Sequence, residues 1–473
     1  MFKSFTALLL FLFTSFSAHA SGGAAPAGAA KSWLDNPIAW IVLAIFCISY
    51  IAVIFEEQLH LAKSKPVLVA AGFCWMLTAS IFVAAGPEYT DIAERAVKHY
   101  VLEYGELFLF LLAAMTFINT LEERGLFDAL RGWIVKRKMS RRQVFWMTGI
   151  IAFCLSPIAD NLTTALVMGA VLLSVARSEK DFVGIGCLNV VVAANAGGAF
   201  SPFGDITTLM VYQKGIISFT QFFPLIIPSL VTWLVPAVAL SFMVKKGVPG
   251  GEDNDQEVVL KRGAFFVAGL FLCTIAMAVI GHSVLHLPPV MGMMFGLGLL
   301  KMFGYYLHQT EKRDVDHDGE AFDIFERIKD AEWDTLLFFY GVILCVGALG
   351  TLGFLPTIAA KAYGPGVDPT YANVAVAFLS AIVDNIPVMF AVLEMRPDMS
   401  QGQWLLVTLT AGVGGSMLAI GSAAGVALLG SARGVYTFFS HLKYSPLVLL
   451  GVIVGVACHL WLNADLMNVP ISH

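Results

Sequence analysis

The chain has 473 residues, of which 58% are hydrophobic and 13% are charged, and its formal net charge is −5. A soluble protein carries about 25% charged residues, so we expect much of this protein's surface to face lipid. The modest charge includes no basic block suited to nucleic acid. The seven cysteines stand singly inside apolar segments and give no metal or disulfide framework. The composition therefore predicts a polytopic membrane protein. We expect it to be an all-α polytopic membrane protein that is not an enzyme and uses no cofactor.

Residues 1–20 have the pattern of a secretory signal peptide. Lys3 gives a positive start, residues 7–13 form a short apolar run, and Ala-His-Ala at 18–20 matches a cleavage site. The run is too short to span a bilayer, which takes about 20 residues. We therefore expect a cleaved signal, a short extracytoplasmic linker at 21–37, and a mature N-terminus outside the cytoplasm. We expect the protein to lie in a bacterial inner membrane.

Apolar segments long enough to cross a membrane follow along the rest of the chain. They lie at 38–55, 66–85, 105–121, 183–213, 219–244, 263–281, 288–303, 333–355, 403–430 and 445–462. Two more, 143–176 and 371–393, contain Pro and Asp in the middle. Backbone polar groups in lipid must be bonded within their segment, so we expect helices, with breaks only where protein or a watery cavity surrounds them.

The loop charges predict how the two interrupted segments are placed. If each returns to the side on which it started, the cytoplasmic loops hold 22 Lys and Arg residues and the outer loops 6, and Lys3 completes the 29. This asymmetry follows the positive-inside rule. We therefore predict a re-entrant hairpin at 143–176 with both ends inside and one at 371–393 with both ends outside.

Two halves of the chain contain matching motifs in the same order. The sequence SPIADNL at 156–162 matches SAIVDNI at 380–386, and NAGGAFSPFGDITT at 195–208 matches GVGGSMLAIGSAA at 412–424. Helices rich in Gly, Ala and Ser also resemble one another by composition alone. The matched Asp-Asn pair at each break argues against that explanation.

The charge count gives the two halves opposite orientations. We therefore predict inverted repeats at 38–250 and 251–473, with two discontinuous helices at 183–213 and 403–430. Secondary transporters built in this way bind their substrate near the membrane midplane, on the interrupted helices.

Ionisable residues at membrane depth cost about 2.5–3.5 kcal/mol each on insertion scales, so they usually serve a function. Asp160 and Asp384 stand at the predicted hairpin tips, and Asp205 follows a Gly-Gly break. The candidate ion- or proton-binding residues are Asp160, Asn161, Thr163, Asn195, Asp205, Thr207, Thr208, Asp384, Asn385, Ser416 and Ser422, with Glu106 and Asp334 as accessory candidates. Each break also needs a helix N-cap, and Asp, Asn and Ser supply caps.

Carboxylate, amide, hydroxyl and freed backbone oxygens together can bind a hard monovalent cation. A carboxylate removed from water favours either a bound proton or a bound cation. If one aspartate binds only one of the two at a time, each ion displaces the other. Exposing that aspartate alternately to the two sides predicts exchange of cytoplasmic Na⁺ for external H⁺.

These motifs resemble those of the NhaD-type sodium/proton antiporters of the ion transporter superfamily, over about residues 35–462. The resemblance implies Na⁺ or Li⁺ as substrate at Asp160, Asp205 and Asp384, exchange for H⁺, and a homodimer in the lipid bilayer. Dicarboxylate carriers of the superfamily have a neutral Ser-Asn-Thr pattern at the tips. The acidic tips here favour cation exchange.

Several alternatives stay open on sequence alone. A sodium-coupled dicarboxylate symporter or an arsenite exporter would have the same fold. An intramembrane aspartyl protease would use Asp160 and Asp205 as a dyad, but its Tyr-Asp and Gly-x-Gly-Asp motifs are missing here. A channel would not need the repeat.

The stretch 314–319 resembles the start of a calcium-binding loop but lacks the Glu that such a loop has at its twelfth position. Five histidines, including His441, are expected in loops.

Overall fold

The computed structural model describes residues 33–137, 139–176, 179–249, 260–311 and 322–471. The predicted signal peptide, most of the linker and the stretch 314–319 lie outside these ranges. Every regular element within them is a helix, and 10 helices there are long and apolar enough to cross a membrane. The protein is an all-α polytopic membrane protein, which confirms the prediction from composition.

The helices before residue 250 are, in order, α1 Pro37–Ile54, α2 Glu56–Leu59, α3 Ser64–Ala85, α4 Thr90–Glu123, α5 Leu126–Lys136, α6 Arg141–Ala159, α7 Asn161–Ala176, α8 Lys180–Gly198, α9 Ile206–Gln213 and α10 Ile226–Met243. After it come α11 Ala264–Leu285, α12 Pro289–Glu311, α13 Ile324–Lys329, α14 Trp333–Leu352, α15 Phe354–Ala362, α16 Pro369–Val383, α17 Asn385–Met395, α18 Gln401–Gly414, α19 Ala423–Ser431, α20 Phe438–Leu442 and α21 Ser445–Leu462. Short 3₁₀ helices lie at Pro87–Tyr89, Phe219–Leu225, Gly415–Met417 and Ala464–Asn468.

The helices form two groups, and helices in the two halves of the chain pack in the same way. The outer bundle consists of α1, α3, α4, α11, α12 and α14, where α3 packs on α14 and α12 packs on α4. The inner bundle consists of α6–α10 and α16–α21, where α6 packs on α8 and α16 packs on α18. The apolar stretches of α8 and α14 are 89% and 78% buried and that of α1 only 22%, so both bundles contribute to the core while α1 presents an apolar face suited to lipid.

Two helical hairpins have their tips at Asp160 and Asp384. In the first hairpin, the Nη2 atom of Arg141 at the start of α6 donates to Glu179 Oε1, just beyond α7, at 2.6 Å. In the second, the Asn373 amide near the start of α16 donates to the sulfur atom of Met399, just beyond α17, at 3.5 Å. The free ends of each hairpin therefore lie together, and the membrane side of each hairpin stays a prediction from the loop charges.

Two further helices are interrupted, at the places where the sequence predicts a break. Residues 199–205 separate α8 from α9, and residues 415–422 separate α18 from α19. A Cβ added to Gly198 would lie 2.5 Å from the Gly204 carbonyl oxygen, and one added to Gly415 would lie 2.3 Å from that of Gly421. Glycine is required at both positions because the chain folds back onto its own backbone.

Candidate ion-binding site

Asp205 is buried, with 2% of its surface exposed, at the start of α9. Its Oδ1 accepts a hydrogen bond from the Thr207 backbone N–H at 3.0 Å, so it caps that helix. Its Oδ2 also accepts from the amide Nδ2 atoms of Asn161 at 2.9 Å and Asn385 at 3.0 Å. The two asparagines follow the aspartates at the two hairpin tips, so both halves of the chain converge on one carboxylate.

Asn195 extends this network to the second interrupted helix. Its Oδ1 accepts from Asn161 Nδ2 at 3.0 Å, and its Nδ2 donates to Ser416 Oγ and Ser422 Oγ, each at 2.9 Å. The structure thus brings together six of the predicted residues, all of them buried: Asn161, Asn195, Asp205, Asn385, Ser416 and Ser422. They form one polar cluster between the two interrupted helices and the two tips.

The tip residues Asp160 and Asp384 cap the helices that follow them. Both have positive φ angles, 55° and 89°, in a region that non-glycine residues rarely adopt. Asp160 accepts from the Thr163 N–H at 2.8 Å and from the Thr163 hydroxyl at 3.0 Å, and Asp384 accepts from the Asn385 N–H at 2.7 Å. The carboxylates therefore fix the sharp reversal that presents Asn161 and Asn385 to Asp205.

Three other predicted residues have roles outside this network. The Thr208 hydroxyl donates to the carbonyl oxygens of Ser201 and Asp205 at 2.7 and 2.6 Å, which holds the break closed. Glu106 lines a separate cavity of about 240 Å³. Asp334 accepts a hydrogen bond from Ser64 at the start of α3. The structure therefore places Glu106 and Asp334 apart from the cluster around Asp205.

A small cavity of about 40 Å³ adjoins the cluster and is lined in part by Asp160, Asn161, Asp205 and Asn385. A space of this size accommodates one water molecule or a small ion. The buried Asn385 Oδ1 and Thr207 Oγ1 atoms have no hydrogen-bond partner within the described ranges. Buried oxygens without partners are costly, and together with a carboxylate they form a donor set suited to a sodium-sized cation.

The expectation that His441 lies in a loop is wrong, and sequence reasoning missed its place at this site. It is fully buried on α20, and its Nε2 lies 2.9 Å from the Ser416 carbonyl oxygen. A carbonyl can only accept, so Nε2 carries the hydrogen and Nδ1 accepts from the Tyr436 hydroxyl. Burial lowers the pKa of His441 to about 4, which keeps the ring neutral. Its sequence neighbourhood gives no signal, because the contact depends on how α20 folds back onto the break.

A cavity of about 580 Å³ leads toward the first hairpin tip and includes Leu162 and Thr163 in its wall. Five acidic residues also line it: Glu122, Glu123, Asp128, Asp330 and Glu332. Two basic residues, Arg131 and Arg327, complete its charged lining. The excess of acidic groups favours the approach of cations.

A cluster of ion pairs lies where α4 meets α9 and α17. The ammonium group of Lys214, just after α9, pairs with Glu103 on α4 and, at 3.1 Å, with Glu394 on α17. The Tyr100 hydroxyl of α4 donates to Glu394 at 2.9 Å. These contacts tie the inner bundle to the outer bundle. Lys214 falls in a predicted outer loop, on the opposite side from the acidic cavity.

Interrupted helices around a buried polar cluster are expected of a membrane transporter, and similarity to known proteins points to the same class. Residues 3–412 match the family described as "Citrate transporter". The chain is 52% identical over 450 residues to the Na(+)/H(+) antiporter NhaD of Alkalimonas amylolytica, covering 91% of this chain and 92% of that protein. It is 51% identical over 444 residues to the NhaD of Halomonas elongata, covering 90% and 89%.

A plant protein shows how far the similarity extends. Sodium/proton antiporter 1 of Arabidopsis thaliana is 32% identical over 441 residues, which covers 90% of this chain and 73% of that protein. The chain belongs to the citrate transporter family and, within it, to the NhaD-type sodium/proton antiporters.

Proposed function

We propose that the protein exchanges cytoplasmic Na⁺ or Li⁺ for external H⁺ at the cluster centred on Asp205. The observation that supports this most is the convergence of Asn161 and Asn385 on the Asp205 carboxylate. Two amide donors stabilise the charged form of that carboxylate, and unpaired oxygens nearby offer further ligands. The names of the relatives point to the same exchange.

Competition at one carboxylate would couple the two ions. Asp205 is removed from water, so its bare negative charge is costly, and binding either a proton or a cation compensates that charge. Binding of Na⁺ then releases the proton, and protonation releases Na⁺. Asp160 and Asp384 hold the tips in place and add negative charge on either flank of the cluster, which favours the cation.

Alternating access would follow from a change in the contacts between the two bundles. The acidic cavity reaches the first tip from the side that the loop charges assign to the cytoplasm. The ion pairs of Lys214 with Glu103 and Glu394 hold the bundles together on the opposite side. We infer that this arrangement receives Na⁺ from the cytoplasm, and that release outside requires the Lys214 pairs to open.

The broader architecture is part of the proposal. We propose inverted repeats at 38–250 and 251–473, re-entrant hairpins at 143–176 and 371–393, an inner-membrane location with the mature N-terminus outside, and a homodimer in the lipid bilayer. The matching packing of α3 on α14 and of α12 on α4 supports the repeats. The dimer rests on resemblance to the family.

An organic anion is the main alternative substrate, because the matching family is described as a citrate transporter. A citrate or dicarboxylate site would lack dense acid or be lined with cationic groups, whereas the described cluster of amides and hydroxyls has the Asp205 carboxylate at its centre. An arsenite exporter would share the fold. An aspartyl protease would need two acids in contact, but Asp205 hydrogen-bonds to asparagines instead.

The proposal is tested in everted membrane vesicles from a host without its own sodium/proton antiporters. Respiration acidifies the lumen and quenches a pH-sensitive dye, and NaCl, LiCl, KCl and choline chloride are added in turn. We expect fluorescence to recover with Na⁺ or Li⁺, and Asp205→Asn to remove that recovery. No recovery with any cation between pH 6 and about 9.5, with the protein shown in the membrane, would contradict antiport. Sodium-driven citrate uptake is then the next assay.

A further inference from the structure

Gly412 on α18 occupies the position that corresponds to Asn195 on α8. Each stands three residues before the glycine at which its helix meets the far side of the break, Gly198 in the first case and Gly415 in the second. One interrupted helix therefore presents an amide at this level, and the other presents no side chain.

The space beside Gly412 faces the cluster around Asp205. A Cβ added there would lie 3.8 Å from Asp205 Oδ2, 3.8 Å from Thr207 Oγ1 and 3.7 Å from the Ala199 methyl group. These are ordinary contact distances, so nothing nearby excludes a methyl group. At Gly414, by contrast, a Cβ would lie 2.5 Å from the Ala377 carbonyl oxygen. Close packing explains glycine at 414 but not at 412.

A glycine inside a helix costs about 1 kcal/mol relative to alanine. Since packing does not require Gly412, the reason lies in what it faces. The Thr207 hydroxyl is fully buried and has no hydrogen-bond partner within the described residues, and the same holds for the Asn385 amide oxygen. The unpaired Thr207 hydroxyl oxygen and an Asp205 carboxylate oxygen thus border a space with no side chain in it.

We propose that Gly412 is a specificity-determining residue, whose missing side chain leaves the room that Na⁺ occupies against Asp205 and Thr207. The proposal rests on the proposed sodium/proton exchange. A methyl group at 412 would narrow this space without touching any backbone. Li⁺ is smaller than Na⁺, so Gly412→Ala should weaken the binding of Na⁺ much more than the binding of Li⁺.

The test compares Gly412→Ala with the wild type in everted vesicles, over a concentration series of NaCl and of LiCl. We expect the half-maximal Na⁺ concentration to rise about tenfold or more and that of Li⁺ less than about threefold, since one methyl in a fitted pocket changes selectivity by this order. Gly184→Ala is the matched control, because a Cβ there meets only the Val435 carbonyl oxygen, at 3.5 Å, well away from the cluster. It should leave both concentrations unchanged.

A second measurement separates ion binding from folding. Purified wild type and Gly412→Ala are melted in choline chloride, NaCl and LiCl, since a bound ion raises the melting temperature. We expect the variant to melt no lower than the wild type in choline and to lose its Na⁺ stabilisation more than its Li⁺ stabilisation. Three results would each overturn the proposal: a lower melting temperature of the variant in choline chloride, an equal loss of stabilisation by Na⁺ and by Li⁺, or stabilisation by both ions equal to that of the wild type. A wild type inactive with every cation would contradict the exchange itself.

Discussion

The two interrupted helices have nearly the same backbone and different chemistry. Asp205 has φ −149° and ψ 147°, and Ser422 at the corresponding position has φ −150° and ψ 152°. Each caps the short helix after its break, Asp205 through the Thr207 N–H and Ser422 through the Gly425 N–H. The break is thus a shared structural feature, while the charge is present on one side only.

The neighbouring hairpins show the same contrast between frame and chemistry. Ser156 donates to the Ala194 carbonyl at 2.6 Å, and Ser380 donates to the Ala411 carbonyl at 2.6 Å, so each hairpin is fastened to its interrupted helix in the same way. A contact found in both halves indicates a structural role, namely holding the hairpins and the interrupted helices in place. A feature found in one half, such as Asp205, indicates the ion site.

The largest effect should come from removing the single charge. Asp205→Asn keeps the helix cap but leaves no carboxylate for Na⁺ or H⁺, so we expect exchange to fall by more than about a hundredfold, in line with the loss of a central charged ligand. Ser422→Ala is the matched variant and should keep most of the activity. Vesicle assays at saturating Na⁺ measure both. Equal losses in the two variants would show that the two helices contribute alike.

Exchanging the two residues sharpens the comparison further. In the double variant Asp205→Ser with Ser422→Asp, the acid moves to the helix where Asn195 donates. Asn161 and Asn385 would still point at position 205. We therefore expect the double variant to be as inactive as Asp205→Asn in the same assay. Restored exchange would mean that either helix can hold the charge.

The tip asparagines should have a smaller and graded effect. Asn161 bonds both Asp205 and Asn195, whereas the Asn385 amide donates to Asp205 alone. A hydrogen bond to a charged group contributes about 1.5–3 kcal/mol, so each alanine variant should raise the half-maximal Na⁺ concentration by about ten- to a hundredfold. We expect Asn161→Ala to exceed Asn385→Ala. The reverse order would argue against Asp205 as the centre.

The carbonyl contact at the second break should have the smallest effect. His441 donates to the Ser416 carbonyl, whereas His459, also fully buried, contacts the Gly402 carbonyl at 3.0 Å, away from the cluster. Losing one neutral hydrogen bond costs about 1 kcal/mol, so His441→Leu should raise the half-maximal Na⁺ concentration about fivefold. His441→Gln, which keeps a donor, should restore it. An equal effect of His459→Leu would mark both histidines as general supports of folding.

Much of this frame could be predicted from the sequence. Breaks inside apolar segments are tolerated only within protein, so the Asp, Gly and Pro motifs located both hairpin tips and both interrupted helices. Six of the candidate residues stand in these motifs, and the structure brings them together. Which acid lies at the centre could not be predicted, because it depends on where Asn161 and Asn385 point in space. For the same reason, the sequence could not show that Glu106 and Asp334 lie apart from the cluster and that His441 lies beside it.

The most direct test of the account measures whether Na⁺ binding displaces a proton from Asp205. Purified protein in weakly buffered detergent solution, at a pH where the wild type is active, receives NaCl, and a pH-sensitive dye records the protons released. We predict release from the wild type, release from Ser422→Ala, no release from Asp205→Asn, and none on adding choline chloride. Proton release from Asp205→Asn equal to that of the wild type would contradict competition at this carboxylate.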